Sequence, residues 1–466
     1  MSTPQTRVET DSMGDMTVPA AAYWGAQTQR AAGNFPISGY RLPRPFIRAI
    51  GLIKHAAAKV NHDLGRLDDQ RADLIARAAR EVIDGKLDDH FILDVFQTGS
   101  ATSSNMNANE VIANRAIELA GGTIGSKDPV HPNDHVNMGQ SSNDVIPTAI
   151  HVSAAESMMN DLLPALDILA RLLEHKAAAF DHVVKIGRTH LQDATPIRLG
   201  QEFSGYAAQA RNSITRLEKA VNALRPLAIG GTAVGTGINT HAEFGRRVAV
   251  ELAAETGIDF VEAQNHFEAQ AAKDSVCEVS GQLRTIAVAL TKIASDIRLL
   301  GSGPRCGLGE LKLPATQPGS SIMPGKVNPV MCEMVVQVAA QVHGNDAAIA
   351  LGCRESYLEL NVAMPMMAHN LLESIRLLAN AARTFADHCI AGLEADEQRC
   401  ADLVEQSLAM CTSLAPLIGY DAAAAIAKEA HATGKTVRQV ALERKVLDEA
   451  RLDQALNPRS MTEPHE

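Results

Sequence analysis

The run from Phe267 to Leu300 constrains this chain more than any other stretch. Val276, Val279, Leu283, Ile286, Leu290, Ile293, Ile297 and Leu300 recur three or four residues apart, the spacing of one helix face and not of a strand. A helix of about 34 residues runs roughly 50 Å at 1.5 Å per residue. That outruns an ordinary domain, so the stripe predicts a bundle helix in an all-α fold, with the bundle extending across subunits. Composition agrees: aromatics make up only 3% of the chain, and Ala-, Leu- and Val-rich runs alternate with charges at helical spacing.

At 466 residues the chain exceeds the size of one hydrophobic core. Helices are expected over Phe46 to Leu64 and Gln70 to Asp84, stopped by Gly65 and Gly85. Another runs from about Val145 to Ala179, with Pro147 in its first turn and Pro164 bending it. Pro196 to Leu224, Asn328 to Leu351 and Met366 to Gly392 complete the long set. Residues 1 to 45 carry Pro19, Gly25, Gly33, Pro36, Pro43 and Pro45 and read as an extended, mostly irregular lead-in. The expected division is an N-terminal helical domain over 1–141, a central long-helix bundle domain over 142–395 and a small C-terminal helical domain over 396–466.

Charge and cysteine usage exclude several classes. A net charge of −11 offers no basic face for nucleic acid. Seven cysteines with no Cys-x-x-Cys pair fit neither a disulfide framework nor a zinc or iron–sulfur site. Cys389, Cys400 and Cys411 recur at a helical interval and read as small buried apolar residues on a similar helical face. Met1 to Asp15 lacks the apolar segment of a signal peptide, and no run of about 18 apolar residues spans a membrane. The expected location is cytoplasmic.

Five polar stretches stand out. Gln97 to Asn105 and Gln140 to Asp144 are dense in hydroxyls and amides just before helices, so they read as caps or as anion-binding helix starts, and one loop can do both. Val130 to Asp134 lies between them. Gly187 to Pro196 places His190 in a polar turn expected to join two helices, the second starting at Thr195 and Pro196. Gly319 to Pro329 combines two hydroxyls, Lys326, Asn328, two glycines and two prolines, which cannot be regular helix or central strand. It is either a capped surface linker or a loop folded over an anion, with Asn328 as N-cap and Pro329 at the first helical position. The glycine-rich Gly230 to Gly237 lacks the preceding strand of a dinucleotide fold.

Gly319 to Pro329 resembles, residue for residue, the signature loop of the fumarase/aspartase superfamily, and Gln97–Asn105, Gln140–Asp144 and Gly187–Pro196 are similar to its other polar segments. The match, from about Met13 to Lys435, points to the class II, iron-independent fumarate hydratase family. It implies an all-α three-domain fold with a tetrameric helical core, reversible hydration of fumarate to L-malate, and active sites shared by three subunits of a homotetramer. By the same resemblance Ser320 is the base, Lys326 and Asn328 stabilise the carbanion, and His190, paired with Glu333, handles the hydroxyl or water. Ser100, Thr102, Ser141, Ser142, Asn143, Thr189 and Ser321 take substrate-binding positions, and His131, Asn133 and Asp134 form a possible second dicarboxylate site. No cofactor and no metal are implied.

Four positions depart from the family pattern. Ala101 stands where glycine is usual, which costs about 1 kcal/mol if the backbone there is left-handed. Where the family can carry an arginine just upstream of His131 this chain has Asp128, with Lys127 the nearby cation, and Arg354-Glu355 bring charge to a segment that is usually glycine-rich. Within the superfamily the alternative is aspartate ammonia-lyase or a related fumarate-releasing lyase; ammonia-lyase members such as aspartase typically carry Gln where this chain has His190. Outside it, the alternative is a non-catalytic structural member of the fold.

Overall fold

The structure, a computed structural model, describes residues 5–464. Met1 to Pro4, part of the stretch read as lacking a leader, and His465 and Glu466 lie outside the described residues. Among the described residues helices dominate, and the strands form only two-stranded sheets. The chain divides into two compact units. The first comprises Met1–Pro164, Thr215–Ala287 and Ala340–Ala379; the second comprises Ala165–Ile214, Val288–Ala339 and Asn380–Glu466.

The lead-in is more regular than expected. Strands β1 (Thr6–Asp11) and β2 (Gly14–Pro19) form an antiparallel hairpin, followed by helix α1 (Ala26–Asn34). Gly14, at φ +111°, makes the tight turn possible. The alternation that drives pairing is weak because polar Glu9 and apolar Val18 are the buried members of the two strands. Glu9 is tolerated there because Arg7 donates to its carboxylate at 2.8 Å and Asn114 at 3.3 Å.

Helices α2 (Arg44–Asp63) and α3 (Asp69–Ile83) match their predicted spans closely. Asp68 caps α3 by accepting from the Arg71 amide at 3.0 Å. Helix α4 (Thr102–Leu119) starts three residues before the expected Asn105, and α5 (Ser142–Ser157) carries Pro147 in its first turns. The interruption expected near Pro164 is a π-helical turn over Met158–Leu162, after which α6 (Leu163–Ala179) resumes. A proline has no amide to continue the ladder, so the preceding turn widens.

The predicted 34-residue helix is two helices. After α7 (Leu199–Ala223) and α8 (Phe244–Thr256), α9 (His266–Ala271) ends and α10 (Asp274–Leu300) begins. Ala272 is extended, at φ −75° and ψ 151°. The buried ammonium of Lys273 then collects the carbonyls of Ala269, Gln270 and Ala272 at 2.8 to 2.9 Å, closing α9 with a cation at its negative end. The apolar stripe itself is as read: all eight of its members are buried. Helices α11 (Val330–Cys353) and α12 (Met364–Phe385) follow.

In the second unit a C-terminal core gathers Val404, Met410, Leu414, Ile426, Val440, Leu452 and Leu456 from short helices. The cysteine periodicity does not mark one helix face. Cys389 lies in a π-helical turn, Cys400 in an α-helix and Cys411 in a 3-10 turn. Cys389 and Cys400 are buried and Cys411 is half-buried, and all seven cysteines are free thiols.

Candidate functional site

In the first unit, two polar segments meet. Ala101, immediately before α4, is left-handed at φ +52° and fully buried, so the residue that departs from the usual glycine does occupy the strained region. That kink turns the hydroxyls on either side of it together. Ser100 Oγ lies 2.8 Å from Thr102 Oγ1, which lies 2.7 Å from Ser142 Oγ at the start of α5. The loop before α4 is closed by Gln97, whose side-chain oxygen accepts from the Ser104 amide and hydroxyl at 3.1 and 3.0 Å. Gly99 lies so close to residue 362 that a Cβ would stand 1.9 Å from the Val362 carbonyl oxygen.

Ser141 is both a candidate ligand and a cap. Its Oγ accepts from the Asn143 amide at 3.2 Å while Asp144 accepts from the Ser141 amide at 2.9 Å, a reciprocal capping box. Asn143 donates to the Ala233 carbonyl at 2.8 Å. The other oxygen of Asp144 accepts from the amides of Gly230 and Thr232 at 3.1 and 2.9 Å, which fixes the glycine-rich loop against α5. An open cleft of about 320 Å³ results, lined by Thr102, Asn105, Ser141, Ser142, Thr232 and Ala233 among others. Asn105 Oδ1 and Thr232 Oγ1 are buried without a hydrogen-bond partner. The cleft thus combines hydroxyls and amides at two helix N-termini, which suits a carboxylate.

Sequence reasoning missed the groups behind this cleft. Lys54, on α2, is fully buried and donates to Asn137 Oδ1 and Gln140 Oε1, both at 2.9 Å. The signal was available, since Lys54 interrupts the apolar face formed by Phe46, Ile50, Ile53 and Ala57. Burial pushes the Lys54 ammonium down to about 7 and the Asp144 carboxyl up to about 6.

The second dicarboxylate candidate is a π-helical turn, Pro132–Val136. His131 Nδ1 caps it by accepting from the amides of Asn133 and Asp134 at 3.2 and 3.1 Å. A small cavity beside it, about 30 Å³, is lined by Lys127, His131 and Asn133 but also by Glu9 and Glu110. Lys127 donates to the Thr10 carbonyl at 2.7 Å.

In the second unit, His190 sits on a β-hairpin and not between two helices. Strands β3 (Val184–Thr189) and β4 (Gln192–Arg198) pair antiparallel, and Pro196 belongs to β4, with α7 starting only at Leu199. The pairing slips between Ile186 and Arg188, where Ala194 and Thr195 oppose Gly187 alone. His190 and Leu191 form the two-residue turn, and both are left-handed, at φ +57° and +60°. A two-residue hairpin needs this twist, normally from Asn-Gly, so a non-glycine pair is strained. The hairpin is anchored at its base: Arg188 donates to both oxygens of the buried Glu310 at 3.0 and 2.9 Å, and Lys185 lies 3.5 Å away. Thr189 and His190 are exposed.

The signature stretch is a closed loop. The Gly319 amide donates to the Lys326 carbonyl at 2.8 Å and the Asn328 side chain donates to the Gly319 carbonyl at 2.7 Å. Asn328 is thereby used to shut the loop and not to cap α11, which begins at Val330, one residue later than a Pro329 start. Ser320 Oγ accepts from the amides of Ile322 and Met323 at 3.3 and 3.1 Å. Ser321 and Lys326 are exposed, and Ile322 is 83% exposed despite being apolar. Glu333 lies on the first turn of α11. Among the described residues neither the His190 nor the Glu333 side chain has a hydrogen-bond or ion-pair partner, so the expected pair is not formed within the chain. Among the described residues no three His, Cys, Asp or Glu side chains gather closely enough to hold a metal, and no helix is long and apolar enough to cross a membrane.

The lyase family profile matches residues 14–344, and the profile described as fumarase C C-terminus matches residues 410–463. Fumarate hydratase class II of Rhizobium meliloti is 56% identical, over 98% of this chain and 99% of the relative. That of Halobacterium salinarum is 59% identical, over 98% of this chain and 97% of the relative. Class II fumarase from Schistosoma mansoni superposes with a TM-score of 0.96 at 41% identity, covering 99% of this chain and 100% of that one. The cobalt-bound fumarate lyase:delta crystallin of Brucella melitensis superposes at 0.95 with 46% identity, with the same coverage.

Proposed function

The chain belongs to the lyase family of the class II fumarate hydratases, and from that premise we propose that it catalyses the reversible hydration of fumarate to L-malate. The observation that carries this reading is the full-length match, which extends over both the cleft segments and the signature loop.

Dehydrating malate means taking a weakly acidic proton from the carbon beside a carboxylate while hydroxide leaves as water. Ser320 takes that proton. A free hydroxyl is too weak a base, and the support for this role is that Ser320 Oγ already accepts from two backbone amides, donors that would hold its alkoxide. Lys326 and Asn328 meet the charge that flows into the adjacent carboxylate, and Ser321 and Thr189 bind beside them. Ser100, Thr102, Ser141, Ser142 and Asn143 hold the substrate dianion. His190, oriented by Glu333 of another copy, moves the proton of the hydroxyl or water on the opposite face. His131, Asn133 and Asp134 are a second place for a dicarboxylate, with Lys127 as the nearby cation.

The active unit is a homotetramer in which three subunits complete each site. Support comes from the unpaired His190 and Glu333 side chains and from the exposed apolar residues of the signature loop, which a lone chain leaves in water. Ultraviolet absorbance of fumarate, with malate and then aspartate as substrate, tests the reaction. Turnover of malate alone is expected, and turnover of aspartate instead would move the chain to the ammonia-lyases. A fully active monomer in a sizing experiment would overturn the shared site.

A further inference from the structure

We propose that Lys54 is a positioning residue for the hydration reaction: its buried ammonium fixes the segment that presents Ser141, Ser142 and Asn143, and places one positive charge beneath the cleft that receives the dianion. The inference rests on the function proposed above.

Lys54 is a residue that packing alone does not explain. It lies on the core-facing side of α2, fully buried among Phe46, Ile50, Ile53 and Ala57. An ammonium taken out of water is costly unless it is paired. Among the described residues no carboxylate bonds it. Its two hydrogen bonds go to the neutral carboxamide oxygens of Asn137 and Gln140, at 2.9 Å each. A methionine of similar length would fill this core position without that cost.

What the ammonium does is set those two carboxamides. With both oxygens turned to Nζ, both amide groups must face the backbone. Asn137 Nδ2 donates to the Gln140 carbonyl at 3.1 Å, and Gln140 Nε2 donates to the carbonyls of Val136 and Met138, each at 3.1 Å. The turn over Val136–Gln140 is pinned from inside, and the next residue is Ser141. Asn105, from α4, adds a donor to the same Asn137 oxygen at 3.2 Å. One cation thus organises both sides of the cleft, since Asn105, Asn137, Gln140 and Ser141 all line it.

The charge has a second use. Among the described residues, the charged side chain whose field reaches Lys54 is Asp144 on α5, and that carboxylate is already committed to the amides of Ser141, Gly230 and Thr232. An entering dianion supplies the opposite charge that the buried ammonium lacks, and is attracted by it through a low-dielectric wall. Burial holds the ammonium at about 7, so its charge is present below that pH and fades above it.

The test is steady-state kinetics on full-length Lys54→Met, followed by fumarate absorbance with malate as substrate between about pH 6 and 8.5. At the acid end KM should rise at least about tenfold while kcat stays within about threefold. Wild-type KM should rise as pH passes through about 7, and this rise should be absent from the variant. A merely structural lysine would lower kcat or the folded fraction and leave the KM profile parallel to wild type. That result, or an unchanged KM in folded protein, overturns the proposal. Should Lys54→Met fail to fold, Gln140→Leu removes one of the two anchors and leaves the charge. It should raise KM by about threefold, and an unchanged KM there also overturns the proposal. Wild-type protein that turned over no malate would instead sink the functional reading, so the two failures are told apart.

Discussion

The two polar regions of this chain are built in opposite ways. In the first unit the candidate substrate groups are bonded to one another, Ser100 to Thr102 and Thr102 to Ser142, and to the glycine-rich loop, Asn143 to the Ala233 carbonyl, with Asp144 and Lys54 nearby. In the second unit the candidate chemical groups stand on a short hairpin turn and a loop that bond mainly to their own backbones, with Ser321, Lys326 and His190 exposed. In the first region the bonds that set the candidate groups are also bonds that hold the fold. The second keeps its candidate groups off the core, where they can be altered with little effect on folding.

Four substitutions would break or sharpen that contrast. Ser320→Ala should carry the largest effect, a loss of about a thousandfold or more in kcat with little change in KM or melting temperature. Wild-type-like rates would remove the serine from the role of base, and a large fall in melting temperature would show that the loop supports the fold after all. Gly99→Ala belongs to the opposite class. Its Cβ would meet the Val362 carbonyl oxygen at 1.9 Å, so a loss of about 3 kcal/mol in unfolding free energy is expected, with activity falling through misplacement of Ser100. An unaltered denaturation midpoint would refute the close approach.

Asp94, just before the same loop, gives a pH signature. Burial alone would raise its carboxyl, but the amides of Phe96, Ser38 and Gly39 and the Ser38 hydroxyl outweigh this and hold it at about 2. A carboxyl lowered on folding contributes stability above its unfolded value near 3.8 and loses it as pH falls through about 2. Asp94→Asn should therefore be less stable than wild type by about 2 kcal/mol at neutral pH, with the gap narrowing below about pH 4. A gap that stays constant with pH would place the effect elsewhere. The smallest change is expected at Ala101. Glycine there relieves a left-handed backbone worth about 1 kcal/mol but removes a buried methyl and loosens the unfolded chain, so Ala101→Gly should fall within about 1 kcal/mol of wild type by chemical denaturation.

The parts legible in the sequence were those written as periodicity or as dense local composition. The stripe from Val276 to Leu300 is buried throughout, and the loops at Ser100, Ser141 and Ser320 stand where their hydroxyls and glycines indicated. What escaped was written in pairs distant from each other or in residues used against type. The His190 hairpin turns on His-Leu, and its second strand contains Pro196, both atypical of a hairpin. The β1–β2 hairpin buries a glutamate, so its alternation is hidden. The break before α10 is made by a lysine side chain capping backward, which no propensity scale records. Lys54 is legible only as an anomaly on an apolar face, and its purpose appears once Asn137 and Gln140 are beside it.

Ser141 carries a consequence for how such a chain can drift. Its hydroxyl begins a helix, so a change there is penalised even in a variant that no longer needs to turn anything over. Ser320 caps no helix: among the described residues its hydroxyl accepts only from the amides of Ile322 and Met323, inside an exposed loop. If a population of these chains were released from selection for catalysis but not for folding, the serine of the exposed loop would be lost first and the capping serine would persist, leaving a lineage that keeps its helix start and its polar cleft long after the loop has drifted.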